Sequence, residues 1–521
     1  MMQRTHTLTI LPSTPTPSFR KVKGIYFNHI NIKIISAKNF WLNSGRASIE
    51  ESLRVRNIVE KAKNVIIFIG DGMSLPTITA SRILKGQSAK HPGEETILSW
   101  EKFPYAGLAK TYNVDSQVPD SAGTATAFLS GVKTRMGMIN VDASVNRGDC
   151  AASQGHELDT ILRWSLDTGK SAGVVTTTRI THATPAGAYA SVANRNWEGD
   201  NEMADVHGGC KDIAKQLVED NKDIQVCVWG GGGGVAGSFY IFVMVEWHLI
   251  RYMYLFIYLK EWQKEKATRG VKAKFVWNAT DLSHVDPAST DYLLGLFDSS
   301  HMSYSYEQET QDTKDPTLAE MTEKAIQILQ KNNNGFFLLV EGGNIDHSHH
   351  SGRAFDALHD TLALEQAVAK SASITNEKDT LILVTADHSH TMTMAGYPAR
   401  GNPILGVAGK ASDNKYYTTL IYGTGPGHAS FIKGIFCYFL VVESYNQDAA
   451  VPTHSETHGG EDVAIYARGP YAHLLTGVHE QNYLAHVMAF ASCVGPYKQS
   501  GNSPTIKCFS MLKILNTTFV K

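Results

Sequence analysis

Several things are scarce in this chain, and each scarcity closes off a class of protein. Six cysteines in 521 residues are too few for a disulfide-stapled scaffold. Neither sign of charge prevails. With 48 basic and 50 acidic side chains the formal net charge is -2, which excludes charge-driven nucleic-acid binding. The start of the chain is basic but has only a short apolar patch at 8–11, so the form of a signal peptide is missing. The last stretch, KCFSMLKILNTTFVK, is too polar for the hydrophobic tail of a glycolipid-anchor signal. One run, 238–259, is long enough to span a bilayer, but Glu246, His248 and Arg251 near its middle are costly in lipid. A transmembrane helix is therefore not expected, and no internal repeat is evident.

What is present points to a large globular protein. A hydrophobic fraction of 43% is too high for a disordered chain. Segments 63–70, 171–178, 224–230, 335–341, 380–386 and 463–467 are apolar runs of strand length and read as buried strands. Helices are predicted between them. One spans 153–167, with Leu158, Ile161, Leu162 and Trp164 on its face. Another spans 317–330, with Asp315 as N-cap and Pro316 at the first helical position. This alternation predicts an α/β fold: a three-layer α/β/α sandwich on a central, mostly parallel sheet. Ligands of such sheets bind beyond the carboxyl ends of the strands.

Four such ends carry carboxylates and imidazoles. They are Asp71; Glu341 followed by Asp346, His347, His349 and His350; Asp387 with His388 and His390; and His454, Glu456 and His458 before the last strand. Any one cluster reads equally well as a polar loop capping a helix. Four together point to metal. Mixed His and carboxylate ligands suit zinc, and all-oxygen ligands suit magnesium. His347 and His349 are expected to be bystanders.

In Pro119-Asp120-Ser121-Ala122-Gly123 the small residues let a helix begin close to another group, with Ser121 at its positive end. Alone, such a serine is commonly an N-cap. A nearby metal would make it a nucleophile. Arg195 would ordinarily be a solvated charge, but in an anion site its planar fork binds two phosphate oxygens.

Taken together, NVIIFIGDGMS, VPDSAGTATAFLSGVKT, TTTRITHATPAGAYA, NRNW, FFLLVEGGNIDHSHH, VTADHSH and THGGEDVAIYARGP closely resemble the animal, membrane-bound type of the alkaline phosphatase family. The resemblance covers 40–233, 263–427 and 444–497. It implies a phosphate monoester hydrolase of broad specificity that acts through a phosphoserine on Ser121, with Arg195 as phosphate clamp. It further implies two zinc ions and one magnesium. Asp346, His350 and His458 would hold the first zinc, and Asp71, Asp387 and His388 the second. Asp71, Thr184 and Glu341 would hold the magnesium, with His182 close to its shell. A homodimer, membrane association and a cell-surface or secreted location follow from the same likeness, with no nucleic-acid partner. The alternative weighed is a surface-binding homologue impaired in catalysis by its insertions. A related phosphodiesterase or sulfatase is a further rival.

The likeness also fixes where the sequence departs from it. Residues 39–497 form the catalytic domain. Residues 1–38 and 498–521 have no family character. Residues 235–263 are an apolar insertion where the family has a polar loop, and 428–442 are atypical within a crown region of about 394–457. These four stretches read either as non-coding sequence carried into the chain or as a divergent form with a membrane-contacting loop. A calcium site would retain Phe297 (by its carbonyl), Asp298 and Asp315, with one acidic partner absent. Cys150 and Cys210 match a family bridge. Cys493 matches a bridged position with only Cys508 as possible partner, Cys437 is unassigned, and Cys227 reads as a buried free thiol. The sequon at Asn278 fits an extracellular glycoprotein.

Overall fold

A computed structural model describes residues 38–230, 249–311, 313–429 and 445–498. The expectations for 1–37, 235–248, 430–442 and 499–521, including Cys437 and Cys508, lie outside these residues. The chain divides into two compact units at Leu53 and Arg54. In the first, the described residues form one helix, α1 (Lys38–Ser52), with no buried side chain.

The second unit is organised by a ten-stranded sheet. Its strands are β1 (Asn64–Gly70), β2 (Tyr105–Lys110), β3 (Ser171–Thr176), β4 (Val226–Trp229), β5 (Ala273–Val276), β6 (Tyr292–Leu296), β7 (Phe336–Gly342), β8 (Thr380–Ala386), β9 (Val463–Arg468) and β10 (Gly477–Glu480). They stand in the order β10-β2-β9-β8-β1-β7-β3-β4-β6-β5. Only β9 runs antiparallel, against both β2 and β8. All seven residues of β1 are buried, as are those of β7 and β8. Strands without an exposed side chain need cover on both faces.

That cover comes in two groups. α7 (Ala354–Ile374) packs on α2 (Leu75–Ser88) and α5 (Leu318–Leu329), while α8 (Tyr483–Ser492) packs on α3 (Ser121–Ser130) and the turn of helix Ile161–Leu166. The result is the expected α/β sandwich. Within the expected crown segment lie a three-stranded sheet (Met392–Met394, Leu420–Gly425, Ala449–Pro452) and a two-stranded one (Val407–Lys410, Tyr416–Thr418).

Two local expectations need correction. The predicted helix 153–167 is helical only at Cys150–Ser153 and Ile161–Leu166. Gly155 takes φ +84°, and the chain then runs extended, with Leu158 N–H donating to the Asn140 carbonyl, until Thr160 caps the second turn. At α5 the cap is Thr317, reciprocated by Glu320, and not Asp315, whose carboxylate accepts from the Ser303 N–H.

The C-terminal part of the apolar insertion lies in α4 (Leu249–Thr268). Leu259 and Trp262 pack against the core, and the buried Lys266 donates to the Lys222 carbonyl at 2.5 Å above the Tyr292 ring. Among the described residues, no helix is long and apolar enough to cross a membrane. Cys150 and Cys210 form the expected disulfide, across 60 residues. Cys227 is a buried free thiol, pushed up to about 12 by burial.

Candidate metal centre and nucleophile

Strand register sets the site. Gly70 of β1 pairs with Gly342 of β7 and with Ala386 of β8, and Glu341 pairs with Thr176 of β3. Asp71, Glu341 and Asp387 therefore emerge side by side at the carboxyl ends of three neighbouring strands. The reversal of β9 brings the segment before it, with His458, to the same end. α6 (Asn344–His350) follows β7 directly and adds Asp346 and His350 one helical turn apart.

These side chains collect into three groups, the ligand atoms of each lying within 4.8 Å of one another. One comprises Asp346, His350, His390 and His458. A second comprises Asp71, Asp387 and His388, and a third Asp71, His182 and Glu341. In the first group Asp346 Oδ1 is 3.4 Å from Nε2 of both His350 and His458. In the second His388 Nε2 is 3.1 Å from Asp387 Oδ2 and 3.5 Å from Asp71 Oδ1.

The donor chemistry fits divalent cations. Both oxygens of Asp71, Oε1 of Glu341 and Oδ2 of Asp387 are buried without a hydrogen-bond partner among the described residues. Bare carboxylate oxygens in an interior call for a compensating charge. Burial first, then the charges of Asp387, Asp346 and Glu341, pushes the Asp71 carboxyl well above its usual range. Burial likewise raises Glu341 to about 7 and raises Asp387. Burial drives His388 well down, leaving its imidazole neutral and fit to ligate.

His390, which the sequence places in the cluster with Asp387 and His388 but to which it gives no role, takes one in the structure. Its Nε2 lies 2.7 Å from Asp346 Oδ1, and its Nδ1 bonds to Glu456. Both ring nitrogens are occupied, so neither has a lone pair to offer a metal. Burial opposes its charge, but the two carboxylates raise it to about 10. His390 is thus an imidazolium that orients Asp346, and Asp346, His350 and His458 are the members of that group that could hold a metal. Gly72, at φ +66°, is required here: a Cβ on it would lie 2.3 Å from the His390 ring.

Ser121 opens α3, with its Oγ 3.1 Å from His388 Nε2. Asp120 caps the helix, accepting from Gly123 N–H, and also accepts from Gly137 N–H. The small Gly123 is needed, since a Cβ there would lie 2.4 Å from Asn113 Oδ1. Arg195 donates from Nη1 to Asp120 Oδ2 at 3.0 Å, and its Nη2 lies 3.3 Å from His182. His182, expected only near the magnesium shell, falls in the same group as Asp71 and Glu341. His349 is structural, lying 3.0 Å from Thr77 Oγ1 and 2.8 Å from Tyr422 OH.

Two of the calcium candidates have hydrogen-bond partners nearby. Asp298 turns to the Ser299 N–H and hydroxyl, and Asp315 to Ser303. Among the described residues, no third His, Cys, Asp or Glu joins them in a cluster. Asn278 is half-buried, capping the helix Ala279–Ser283 and bonding Asp281 at 2.7 and 2.9 Å.

The chain has known relatives. The cod (Gadus morhua) alkaline phosphatase is 46% identical over 474 residues, 88% of this chain and 97% of its own. The human tissue-nonspecific isozyme is 45% identical over 484 residues, 88% of each chain. Among solved structures, Thermus thermophilus alkaline phosphatase superposes with a TM-score of 0.58 at 22% identity, covering 88% of this chain and 96% of that one. The enzyme from the Antarctic bacterium TAB5 gives 0.57 at 22%, covering 84% and 99%. A sequence model of the alkaline phosphatase family matches residues 62–494, so the chain that gathers these carboxylates and imidazoles around Ser121 belongs to that family.

Proposed function

We propose that this phosphate monoester hydrolase attacks phosphorus with the Ser121 hydroxyl, forming a phosphoserine that water then cleaves. The observation that carries the reading is the 3.1 Å approach of Ser121 Oγ to His388, inside a set of buried carboxylates that lack partners. Asp346, His350 and His458 would hold one zinc, Asp71, Asp387 and His388 a second, and Asp71, Glu341 and Thr184 a magnesium, with His182 beside it. Bound there, these ions would supply Lewis acidity that lowers the serine's pKa and offsets charge on the leaving oxygen.

The chain's own residues do the rest. Asp120 places Ser121 at the first turn of α3, where the helix N-terminus favours an anion. Arg195, held on Asp120, presents its fork to the phosphoryl oxygens. Attack in line followed by a second in-line attack gives net retention at phosphorus. These contacts all address the phosphate, which supports turnover of many alcohols. A non-catalytic surface-binding homologue is not favoured, because no member of the ligand set or the nucleophile is lost. A homodimer, a cell-surface or secreted location, membrane association and glycosylation at Asn278 are proposed by family likeness. The same holds for a catalytic domain at 39–497. Calcium is proposed only as a weak site at Phe297, Asp298 and Asp315.

The test is turnover of an aryl phosphate at alkaline pH with zinc and magnesium, comparing the chain with Ser121→Ala. Both proteins are first checked for folding by thermal melting. Loss of turnover in the variant supports the reading, and equal rates would remove Ser121 from the mechanism.

A further inference from the structure

A polar cavity of about 430 Å³ opens beside His350 and is not needed to hold the phosphate. His301, His347, Tyr304, Ser455 and Glu307 are among the residues that line it. Among the described residues, no lysine or arginine lines it.

His301 has an unusual support. Arg179 forks onto Glu198, with Nη2 2.7 Å from Oε1 and Nε 2.9 Å from Oε2. Burial opposes ionisation of Glu198, but its bonds to Arg179 outweigh burial and hold the carboxyl below its ordinary value. The remaining arm of Arg179, Nη1, lies 2.5 Å from His301 Nε2. A guanidinium can only donate. His301 Nε2 is therefore the bare, accepting nitrogen, and the ring proton sits on Nδ1. That Nδ1 is buried and has no acceptor among the described residues. The His347 ring lies 4.0 Å away, centroid to centroid, and its Nε2 is likewise buried without a partner. Unpaired polar groups of this kind are costly unless a ligand or water completes them.

We propose that this cavity receives the alcohol half of the substrate, and that His301, its tautomer fixed by Arg179 and Glu198, selects hydroxyl-bearing leaving groups such as those of sugar and polyol phosphates over alkyl ones. The inference rests on the reading of Ser121 and its metal groups as the hydrolytic centre, because His350 belongs to that centre and to the cavity wall. An alkyl leaving group would leave the His301 N–H unpaired, and a site built to bond a hydroxyl discriminates against the analogue that lacks it. The selectivity grades a broad range of esters, since the contacts to phosphorus are unchanged.

The experiment compares kcat/KM of the metal-loaded full chain for ribose 5-phosphate and n-pentyl phosphate, both esters of a primary five-carbon alcohol. p-Nitrophenyl phosphate is the third substrate. Ribose 5-phosphate is expected to lead by about tenfold, mainly through KM. In His301→Ala that ratio falls toward one, and His301→Gln, which keeps an N–H donor, recovers part of it. A merely structural role would lower all three substrates together and leave the ratio in place. A wild-type ratio near one, or a ratio unmoved in His301→Ala, overturns the inference while turnover of p-nitrophenyl phosphate keeps the hydrolase reading intact. The wild-type ratio decides by itself if the variants do not fold. Inactivity of the folded wild type toward all three substrates overturns the hydrolase reading and this inference with it.

Discussion

Arg195 is held on Asp120 by a 3.0 Å ion pair in which Asp120 is almost wholly buried, and the pair ties the proposed phosphate clamp to the helix that carries Ser121. Burial opposes ionisation of Asp120, but the Arg195 charge and the Gly137 and Gly123 N–H groups hold its carboxyl below the usual range. The two partners should separate on mutation. Arg195→Lys keeps a charge against Asp120 but loses the fork. It is expected to raise KM for an aryl phosphate at least about tenfold, with a small change in melting temperature. Asp120→Ala removes the cap as well and should cost about 1–2 kcal/mol of stability in addition to activity. Steady-state kinetics beside thermal melts checks both. Equal loss of stability in the two variants would refute this division of roles.

Much of this site is written in order along the chain because most of the candidate ligands follow a strand, and a strand of seven apolar residues is legible in isolation. β1, β7 and β8 were readable for that reason. β2, β5, β6 and β10 were not, because they are short and interrupted by Gly or Lys, and their strand state comes from pairing with distant neighbours. The helix over 153–167 was over-read because its apolar spacing ignores Gly155 and the β-bridge between Val141 and Glu157. The role of His390 is hidden in the sequence for a related reason. Sequence shows two histidines near an aspartate, and only the fold shows that Asp346 and Glu456 occupy both nitrogens of one of them.

Metal removal should depend on pH in a set direction. In the metal-free protein Glu341 is raised to about 7 by burial, with Asp71 and Asp387 also raised. A carboxyl whose folded value lies above its unfolded one supports the fold when protonated, and that support is lost as pH rises from about 4 to about 7. Glu341 alone contributes a loss on the order of 3 kcal/mol. Divalent cations favour the ionised forms and cancel the loss. The gap in melting temperature between metal-loaded and chelator-treated protein should therefore widen between pH 5 and pH 8, and activity should return with zinc plus magnesium. A gap that narrows over that interval would contradict the assignment.

Glu456→Gln removes the outer carboxylate from His390. Losing a partner that orients a metal ligand commonly costs about 10–100-fold in metal affinity. The expected result is that activity titrates at higher free zinc, with nearly full turnover once zinc saturates. The His390 charge has its own pH signature. Its folded value is raised to about 10, so its contribution to stability is complete below its ordinary value and is lost as pH climbs through 10. Wild-type melting should fall across that range more steeply than that of the variant. Zinc titrations that coincide would rule out an orienting role for Glu456.

The disulfide offers a control that touches stability without touching chemistry. Cys150 and Cys210 close a loop of 60 residues that carries Thr184 and Arg195 but contributes neither sulfur to the three ligand groups. In the chain-entropy account, a bridge of this span is worth about 4 kcal/mol, mainly by restricting the unfolded chain. Replacing both cysteines by serine should therefore lower the melting temperature by several degrees and leave KM and kcat at 25 °C within about twofold of the parent. The Arg195 loop is separately anchored, since the Arg195 N–H donates to the Gly137 carbonyl at 2.8 Å and Ile213 N–H to the Trp197 carbonyl at 2.9 Å. If KM rose tenfold in the double variant while the fold persisted, the bridge itself would have to be positioning the clamp, and those backbone bonds would not be enough.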